Sequence, residues 1–534
     1  MSTNPGNTFE SAPLVNISNV LREFENNLGP SSRSDWFKFR TNRNRSFFYA
    51  DLYNLQANVD LVLFNRNRQV VARSIRKGTQ VELIRLGAND DQSPRRPPLP
   101  PGVYYMRVFT RGRRPTSYTL RMASARAPRT IDDPEPPPNG GGGGIGGQNS
   151  VLVRDINPGE LSALALRTDF VVLNDDLYFS ADDGRNGREL WRSDGTNAGT
   201  QLVVDINRGA ESSNPTNLTV FNNFIYFSAD DGTGEGIELW RTDGTRNGTQ
   251  LVADINRGQD SSSPSSFAVV GDTLYFAADD GRTGRELWRV TENNQVSQVA
   301  DINRGTGSSS PNWLVEFDNA LYFSASNGRD GVELWRSNGT IAGTVQVADL
   351  NPGDLSSSPS ELTVVGDRLY FAADNGRDGR ELWRLDSVSN SNRPVLAVDL
   401  NPGQVGSNPT DLIEFDNRLY FAADDGRDGR ELWRSDGTTA GTRLVADINT
   451  NFDEGSSPAQ FAVVNDRLYF AADDGRGDGR ELWRSDGTAG GTTQVDDIGG
   501  DQGSNPSSLI GIDDVLYFVA NDGTRGLELW RFNT

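Results

Sequence analysis

The sequence predicts an all-β protein: an N-terminal β-sandwich of the jelly-roll type, followed by a closed eight-bladed β-propeller. Three observations support this prediction. The triplet Glu-Leu-Trp occurs eight times at steps of 47 to 50 residues, short apolar runs alternate with Asn, Asp and Gly turns, and no long helical pattern is present. A period near 48 residues with four strand-like runs per copy is typical of a propeller blade.

The first domain, residues 1–125, contains six short apolar runs separated by Asn, Gly and Pro, which is typical of a β-sandwich. The runs are 36–39, 46–52, 59–64, 80–84, 103–109 and 117–122. On 35–39, 58–64, 101–108 and 117–120 this segment resembles the bacterial pre-peptidase C-terminal domain, a small sandwich attached to secreted enzymes and surface proteins. Calcium-binding members of that family carry an acidic N-terminal pair, where this chain has Gly6 and Asn7.

Charge is distributed unevenly along the chain. Residues 1–130 hold 21 basic and 9 acidic side chains, whereas the remainder holds 31 basic and 64 acidic ones. The arginine-rich front, for example Arg43, Arg45, Arg111 and Arg113, is either a solvated loop face or a contact for an anionic surface. Aromatic residues do not alternate with these arginines, so nucleic acid is not the expected partner.

Residues 126–150 form a linker between the two domains. A proline-rich part gives a semi-rigid spacer and a glycine-rich part gives a flexible coil.

The repeat array, residues 151–534, begins and ends at different points of the repeat. It starts with a run of the fourth-strand type, 151–156, and ends with a run of the third-strand type, 528–531. Pairing 151–156 with the last blade completes eight blades and leaves no exposed sheet edge. This permutation predicts a closed ring rather than an open solenoid.

The array resembles the bacterial family named for its ELWxxDGT repeat, because ELWRSDGT occurs intact at 189–196, 431–438 and 481–488. The third and fifth copies depart from the pattern after Trp288 and Trp383. The resemblance implies a large surface or secreted bacterial protein, and it implies little about the chemistry of any site.

Composition excludes several kinds of site. The chain has no cysteine and no histidine, which removes disulfides, thiolate and imidazole metal ligands, and the nucleophiles and bases of most hydrolases. No run is long and apolar enough to span a membrane, and no ordinary signal peptide begins the chain. We expect an extracellular or cell-surface protein exported by another route, with the cytoplasm as the alternative.

The recurring glutamate and tryptophan of each copy are predicted to be structural, with tryptophan packing between blades and glutamate accepting hydrogen bonds. These residues are Glu189, Trp191, Glu238, Trp240, Glu286, Trp288, Glu333, Trp335, Glu381, Trp383, Glu431, Trp433, Glu481, Trp483, Glu528 and Trp530.

The loops between the second and third strands supply the candidate site, because they gather on one face of a propeller. Two interpretations remain open: Asp-Gly pairs that only form turns beside neutralising arginines, or oxygen ligands for calcium. The candidate metal ligands are Asp182, Asp183, Asp230, Asp231, Asp279, Asp280, Asp424, Asp425, Asp473 and Asp474. The candidate ligand-binding residues are Arg185, Arg282, Arg377, Arg427 and Arg476, with Trp313 as the only tryptophan in an inter-blade loop region.

Two functions remain from these observations. The first is a non-catalytic binding or scaffold protein of the cell surface or an exported assembly, which recognises a glycan or protein through its face loops. A calcium-stabilised structural module overlaps with it. The second is an enzyme, a glycoside hydrolase based on a carboxylate pair. We expect the first, because a catalytic centre is singular and this array is nearly periodic.

Overall fold

The computed structural model describes residues 22–28, 34–41, 46–53, 59–65, 70–74, 82–86, 102–110, 116–126, 150–387, 393–451 and 454–534. The chain divides into two compact units, Met1–Gly144 and Ile145–Thr534. The predicted linker lies largely outside the described residues, and so do most arginines of the predicted anionic contact. Among the described residues, no helix is long and apolar enough to cross a membrane.

The described residues of the first unit form two four-stranded antiparallel sheets, with strand orders β1-β8-β3-β6 and β2-β7-β4-β5. The strands are β1 (Arg22–Leu28), β2 (Ser34–Thr41), β3 (Ser46–Tyr53), β4 (Val59–Asn65), β5 (Val70–Ser74), β6 (Glu82–Leu86), β7 (Gly102–Thr110) and β8 (Thr116–Arg126). Phe37 and Met106 from one sheet and Leu52 and Met122 from the other share one buried cluster. A core between two sheets is the arrangement of a β-sandwich.

The second unit consists of eight four-stranded antiparallel sheets, here called blades 1 to 8. Their strands in chain order are: blade 1, β10 (Val171–Leu173), β11 (Asp176–Asp182), β12 (Arg188–Ser193), β13 (Gln201–Val204); blade 2, β14 (Thr216–Phe221), β15 (Phe224–Ala229), β16 (Glu238–Thr242), β17 (Gln250–Ala253); blade 3, β18 (Ser265–Val270), β19 (Thr273–Asp279), β20 (Arg285–Thr291), β21 (Val296–Ala300); blade 4, β22 (Asn312–Phe317), β23 (Ala320–Ser326), β24 (Val332–Ser337), β25 (Val345–Ala348).

The second half of the array follows the same plan. Its strands are: blade 5, β26 (Ser360–Val365), β27 (Arg368–Asp374), β28 (Arg380–Asp386), β29 (Val395–Val398); blade 6, β30 (Thr410–Phe415), β31 (Arg418–Asp424), β32 (Arg430–Ser435), β33 (Arg443–Ala446); blade 7, β34 (Ala459–Val464), β35 (Arg467–Asp473), β36 (Arg480–Ser485), β37 (Thr493–Asp496); blade 8, β38 (Ser507–Ile512), β39 (Val515–Asn521), β40 (Leu527–Asn533) and β9 (Ser150–Arg154). A single-turn 3₁₀ helix, Gly500–Gln502, precedes β38.

The second strand of each blade is buried on both faces, which explains its continuous apolar run. In β31, Leu419 and Phe421 enter a cluster with Tyr370 of the preceding blade. Tyr420, which points to the other face, enters a cluster with Leu468 of the following blade. Packing between blades therefore accounts for the Leu-Tyr-Phe pattern of the repeat.

The last blade is completed by the first strand of the array, so the predicted pairing of 151–156 is confirmed. In register, Leu152 of β9 lies opposite Trp530 of β40. Val153 shares a buried cluster with Phe179 of blade 1 and Val519 of blade 8. Sheet-to-sheet packing thus runs from each blade to the next and from blade 8 back to blade 1.

The turn between the first and second strands is the predicted tight hairpin. Asn222 and Asn223 have φ values of 48° and 66°, and Asp318 and Asn319 have 52° and 57°. Positive φ at both central residues defines the mirror-image turn that Asn and Asp tolerate best.

The first strands of neighbouring blades contact one another from β10 of blade 1 to β38 of blade 8, and we call them the inner strands. In blades 2 to 8 this inner strand has a register shift near its start, for example between Thr216 and Thr219. Trp313 lies in such a strand, β22, rather than in an inter-blade loop as predicted. A bulge of this kind changes the direction in which a side chain leaves the strand.

Candidate functional site

The carboxylates of the Asp-Asp-Gly loops are occupied by their own loops. Asp182 Oδ1 accepts from the amide of Gly184 at 2.7 Å, and Asp183 Oδ1 accepts from the amides of Arg185 and Asn186 at 2.9 Å each. Burial acts to raise the pKa of Asp183, but these hydrogen bonds lower it below its ordinary value. The loops therefore form turns in which aspartate caps backbone N–H groups.

The same bonding recurs at the other predicted metal ligands. The first aspartate of each loop accepts a hydrogen bond from the amide of the loop glycine; these residues are Asp230, Asp279, Asp424 and Asp473. The second aspartate accepts a hydrogen bond from the backbone amide two residues later in the chain; these residues are Asp231, Asp280, Asp425 and Asp474. Within the described residues, no group of three or more acidic side chains is placed to hold a metal ion. Calcium stays a prediction.

The arginines that follow these loops lie in five different blades. Arg282 pairs with Asp280 at 3.1 Å and Arg476 with Asp474 at 3.4 Å, while both arginine side chains remain more than 80 % exposed. Arg377 pairs with Asp378 at 2.9 Å. Each of these pairs stays within one loop and is worth little in water.

The eight recurring glutamates are buried and hold the connection to the next blade. Glu431 accepts from Ser456 Oγ at 2.5 Å, from the amide of Ser456 at 2.7 Å and from the amide of Ile448 at 3.1 Å. Seven glutamates accept from a serine hydroxyl in the inter-blade loop; these serines are Ser213, Ser262, Ser309, Ser357, Ser407, Ser456 and Ser504.

Glu528, in the eighth copy, lacks this hydroxyl because Ala163 occupies the serine position. It accepts only backbone bonds, from Ile156 at 2.9 Å and from Ala163 at 3.3 Å. Burial raises the pKa of Glu528 to about 8, and the charge of Asp155 adds to the increase. The seam between blades 8 and 1 therefore carries the least satisfied carboxylate of the set.

We predict that Ala163→Ser stabilises the chain at alkaline pH and flattens its pH dependence. Because the pKa of Glu528 is raised from 4.5 to about 8 in the fold, its contribution to stability is present at low pH and lost as the pH rises through this window. A serine donor favours the ionised carboxylate and lowers that pKa. The check is the melting temperature of variant and parent between about pH 5 and 8.

The reverse exchange, Ser213→Ala beside Glu189, serves as the control and is expected to make the pH dependence steeper. Equal pH profiles for all three proteins would contradict this account of Glu528.

A second set of residues lies on the inner strands, where the blades differ most in chemical character. The residue inside the register shift of blades 2 to 8 varies between copies, although the flanking residues repeat, and Asp169 takes the corresponding place in blade 1. From blade 1 to blade 8 it is Asp169, Asn217, Ser266, Trp313, Glu361, Asp411, Gln460 and Ser508. We call this set the inner ring.

Side chains of the inner ring bind the backbone of the next blade. Glu361 Oε2 accepts from the amide of Asp411, and Asp411 Oδ1 accepts from the amide of Gln460, both at 2.8 Å. Gln460 Oε1 then accepts from the amide of Ser508 at 2.9 Å. Burial raises the pKa of Glu361, and the nearby charge of Asp411 raises it further.

The inner-ring residues of blades 2 to 8 have a left-handed backbone, a conformation that Trp, Glu and Gln rarely adopt. Trp313, Glu361 and Gln460 have φ values of 55°, 60° and 63°. Left-handed φ at such residues costs on the order of 1–3 kcal/mol each and is concentrated at functional sites. Trp313 is 41 % exposed at this position, and nothing in the repeat pattern accounts for an exposed tryptophan there.

The inner ring is interrupted at blade 1, and a cavity lies at the interruption. Seven blades have a proline two residues before the ring position, whereas blade 1 has Arg167. Arg167 itself takes the left-handed conformation, with a φ of 64°. A cavity of about 240 Å³ is lined by Arg167, Thr168, Asp169, Phe170, Gln460, Ser508, Leu509 and Ile510. We call it the seam cavity.

The seam cavity combines opposite charges with apolar walls. Asp169 Oδ2 accepts from the amide of Asn217 at 2.5 Å, and burial nevertheless raises the pKa of Asp169. The hydroxyl of Ser508 is buried without a hydrogen-bond partner. Phe170, on the apolar side, packs edge-on against Phe179 at 5.7 Å. Such a combination can orient a small polar ligand.

The sequence prediction found one member of the inner ring, Trp313, and missed the rest. None of the predicted arginines or aspartates lines the seam cavity. One signal in the sequence was available: the proline that precedes the ring position in seven copies is replaced by Arg167 in the first.

Comparison with known proteins gives fold-level similarity to solved structures only. No protein-family model and no curated protein matches the chain. A structure from a study of two prolyl endopeptidases is 16 % identical with a TM-score of 0.41, covering 60 % of this chain and 49 % of that chain. A puromycin-hydrolyzing peptidase of Mycobacterium tuberculosis is 12 % identical with a TM-score of 0.39, covering 57 % and 48 %. The chain thus spans about half the length of these peptidases.

A further solved structure is a pre-peptidase C-terminal domain of the collagenase from Bacillus anthracis. It is 14 % identical with a TM-score of 0.17, and the match covers 23 % of this chain and all of that domain. At these values the likeness assigns neither an activity nor a substrate.

The comparisons correct the predicted function. A non-catalytic binding or scaffold protein that recognises a glycan or protein through its face loops is wrong as a conclusion, because the solved structures found are those of peptidases and leave a non-catalytic role without support. The loop carboxylates, which were to form that surface, are bonded within their own turns.

Proposed function

We propose that the second unit binds a small polar ligand in the seam cavity. The observation that carries this proposal is the coincidence of the cavity with the one place where the inner ring is interrupted, at Arg167. A ligand site must be singular, and in a nearly periodic array this interruption is the feature that distinguishes one blade from seven.

The size and lining of the cavity support a small ligand. Its volume of about 240 Å³ lies below the range of about 300–1,000 Å³ that is typical of sites for drug-sized molecules. Charged, amide and hydroxyl groups face apolar Phe170, Leu509 and Ile510. Polar groups of this kind fix the orientation of a ligand, and apolar walls supply the burial.

Two further expectations accompany this proposal. The intact ELWRSDGT copies support membership of the ELWxxDGT-repeat family, and the cysteine-free composition supports a location outside the cell. Neither bears on the identity of the ligand.

The proposal is tested by ligand-observed NMR on the full chain. The probes are three mixtures: free amino acids, monosaccharides and small dicarboxylic acids. We expect saturation transfer to one mixture in the parent protein and its loss in Ser508→Trp, which fills the cavity. Tryptophan is compatible with this ring position, because Trp313 occupies it in blade 4 with nearly the same φ.

The matched control is Ser266→Trp, the same exchange at the same ring position in blade 3, which lies outside the cavity lining. It should keep the signal. No transfer to any mixture, or transfer that survives Ser508→Trp, would overturn the proposal.

A further inference from the structure

We infer that the ligand of the seam cavity is a free α-amino acid with an apolar side chain. This inference rests on the proposed function and adds the chemistry of the ligand. It follows from which groups of the lining are still available for bonding, and from the charges that those groups carry.

Arg167 is the cation of the cavity. No side chain or carbonyl among the described residues forms a hydrogen bond or ion pair with its guanidinium, and its charge acts on Arg480 nearby. A guanidinium presents paired N–H donors that match the two oxygens of a carboxylate. Arg167 therefore fits the α-carboxylate of a ligand.

Asp169 is the only carboxylate among the lining residues. Its Oδ2 accepts from the amide of Asn217 at 2.5 Å, and the amide of Leu218 also bonds this carboxylate. An ionised carboxylate has about four lone-pair sites, so a ligand ammonium can still bind it. One cation with one anion in the lining favours a zwitterion over a dianion.

Gln460 and Ser508 complete the polar side. Gln460 uses its oxygen to accept from the amide of Ser508, which leaves the amide N–H groups to donate. The unpaired Ser508 hydroxyl gains a partner when a carboxylate oxygen is bound. A buried hydroxyl without a partner costs on the order of 1–3 kcal/mol, which a bound ligand would relieve.

The rest of the lining is apolar and firmly placed. Phe170 and Ile510 pack against the buried cluster of the seam, and Leu509 packs against the cluster between blades 7 and 8. Thr168, between the two charged residues, is buried and bonds both the amide and the carbonyl of Ala165, which fixes the segment that carries Arg167 and Asp169. An aliphatic side chain is therefore the expected third group of the ligand.

The experiment is calorimetric titration of the full chain with L-leucine, N-acetyl-L-leucine and L-leucinamide. The second compound lacks the ammonium and the third lacks the carboxylate. We expect leucine to bind at least tenfold more tightly than either derivative, a difference of about 1.4 kcal/mol. Glycine should also bind more weakly, because it has no side chain for the apolar wall.

Two variants test which lining residue binds the carboxylate of leucine and which binds its ammonium. Arg167→Gly should abolish leucine binding without loss of melting temperature, because glycine adopts a φ of 64° more readily than arginine. Asp169→Asn should weaken leucine and spare N-acetyl-leucine. Arg208→Ala, an exposed arginine of the loop between blades 1 and 2 that lies outside the lining, is the control and should change neither.

The outcomes separate the two proposals. Equal affinity for all three leucine compounds, or NMR binding of a monosaccharide or dicarboxylate that Ser508→Trp abolishes, overturns the amino-acid ligand and leaves the seam cavity as a binding site. Absence of any binding that Ser508→Trp removes overturns both.

Discussion

Replacing Val153 by aspartate is expected to open the ring between blades 8 and 1. Val153 is 5 % exposed and packs with Phe179, Val519 and Leu529. The exchange removes apolar burial worth about 1.5–3 kcal/mol and adds an unpaired buried charge. We expect the second unit to lose about 4 kcal/mol or more, and the freed edge of β40 to promote self-association. The measurements are thermal unfolding and size-exclusion chromatography.

Val151→Asp is the matched control for this variant. Val151 lies in the same strand, two residues away and 46 % exposed, so its exchange keeps the pairing and changes little. If Val153→Asp melted and eluted like Val151→Asp, β9 would not close the ring.

Replacing Glu431 is expected to have the second largest effect. In Glu431→Ala the amides of Ile448 and Ser456 and the hydroxyl of Ser456 lose their acceptor. A buried donor without a partner costs about 1–3 kcal/mol, so the loss for this set amounts to several kcal/mol. Glu431→Gln keeps one oxygen and should keep the fold with a smaller drop in melting temperature.

Glu414, an exposed glutamate in β30 of the same blade, supplies the control exchanges to alanine and glutamine. A melting temperature unchanged in Glu431→Gln and Glu431→Ala would show that the buried carboxylate does not hold the inter-blade loop.

The periodic part of the fold could be predicted because each element depends on local chemistry. Asn and Asp at the hairpin turns tolerate positive φ. An apolar run of five residues indicates a strand that is packed on both of its faces. The displaced start of the array at 151–156 predicted the pairing of β9 with β40, because an unpaired third-strand run at the end needs a partner. The turns and apolar runs recur in every copy, and the displaced start is visible because the rest of the array is periodic.

The inner ring could not be predicted in this way. Its conformation is left-handed at Glu361, Gln460 and Trp313, and none of these residue types favours that region. The conformation follows from a bulge and from bonds to the next blade, for example from Gln460 to Ser508. The bonds form only when the blades are assembled, and the bulge forms only when the first strand pairs with the second, so the local sequence does not reveal them.

The predicted site residues stay a prediction, and they lie apart from the seam cavity. The Asp-Asp-Gly loops attract attention because they are charged and repeated, but repetition is also what a structural turn produces. Glu528 differs from the other seven glutamates because it has no serine partner. Arg167 differs from its counterparts because the other seven blades have a proline at this position. Both lie at the seam, where the first and last blades meet.

The claim that the seam between blades 8 and 1 binds an apolar α-amino acid is tested most directly by amide hydrogen exchange of the full chain, followed by mass spectrometry, with and without L-leucine. Binding at the seam predicts slower exchange in 163–170, β10 and β38, and unchanged exchange in the Asp-Asp-Gly loops and around Trp313 in β22. Protection confined to those loops or to β22, or no protection anywhere, would contradict the claim.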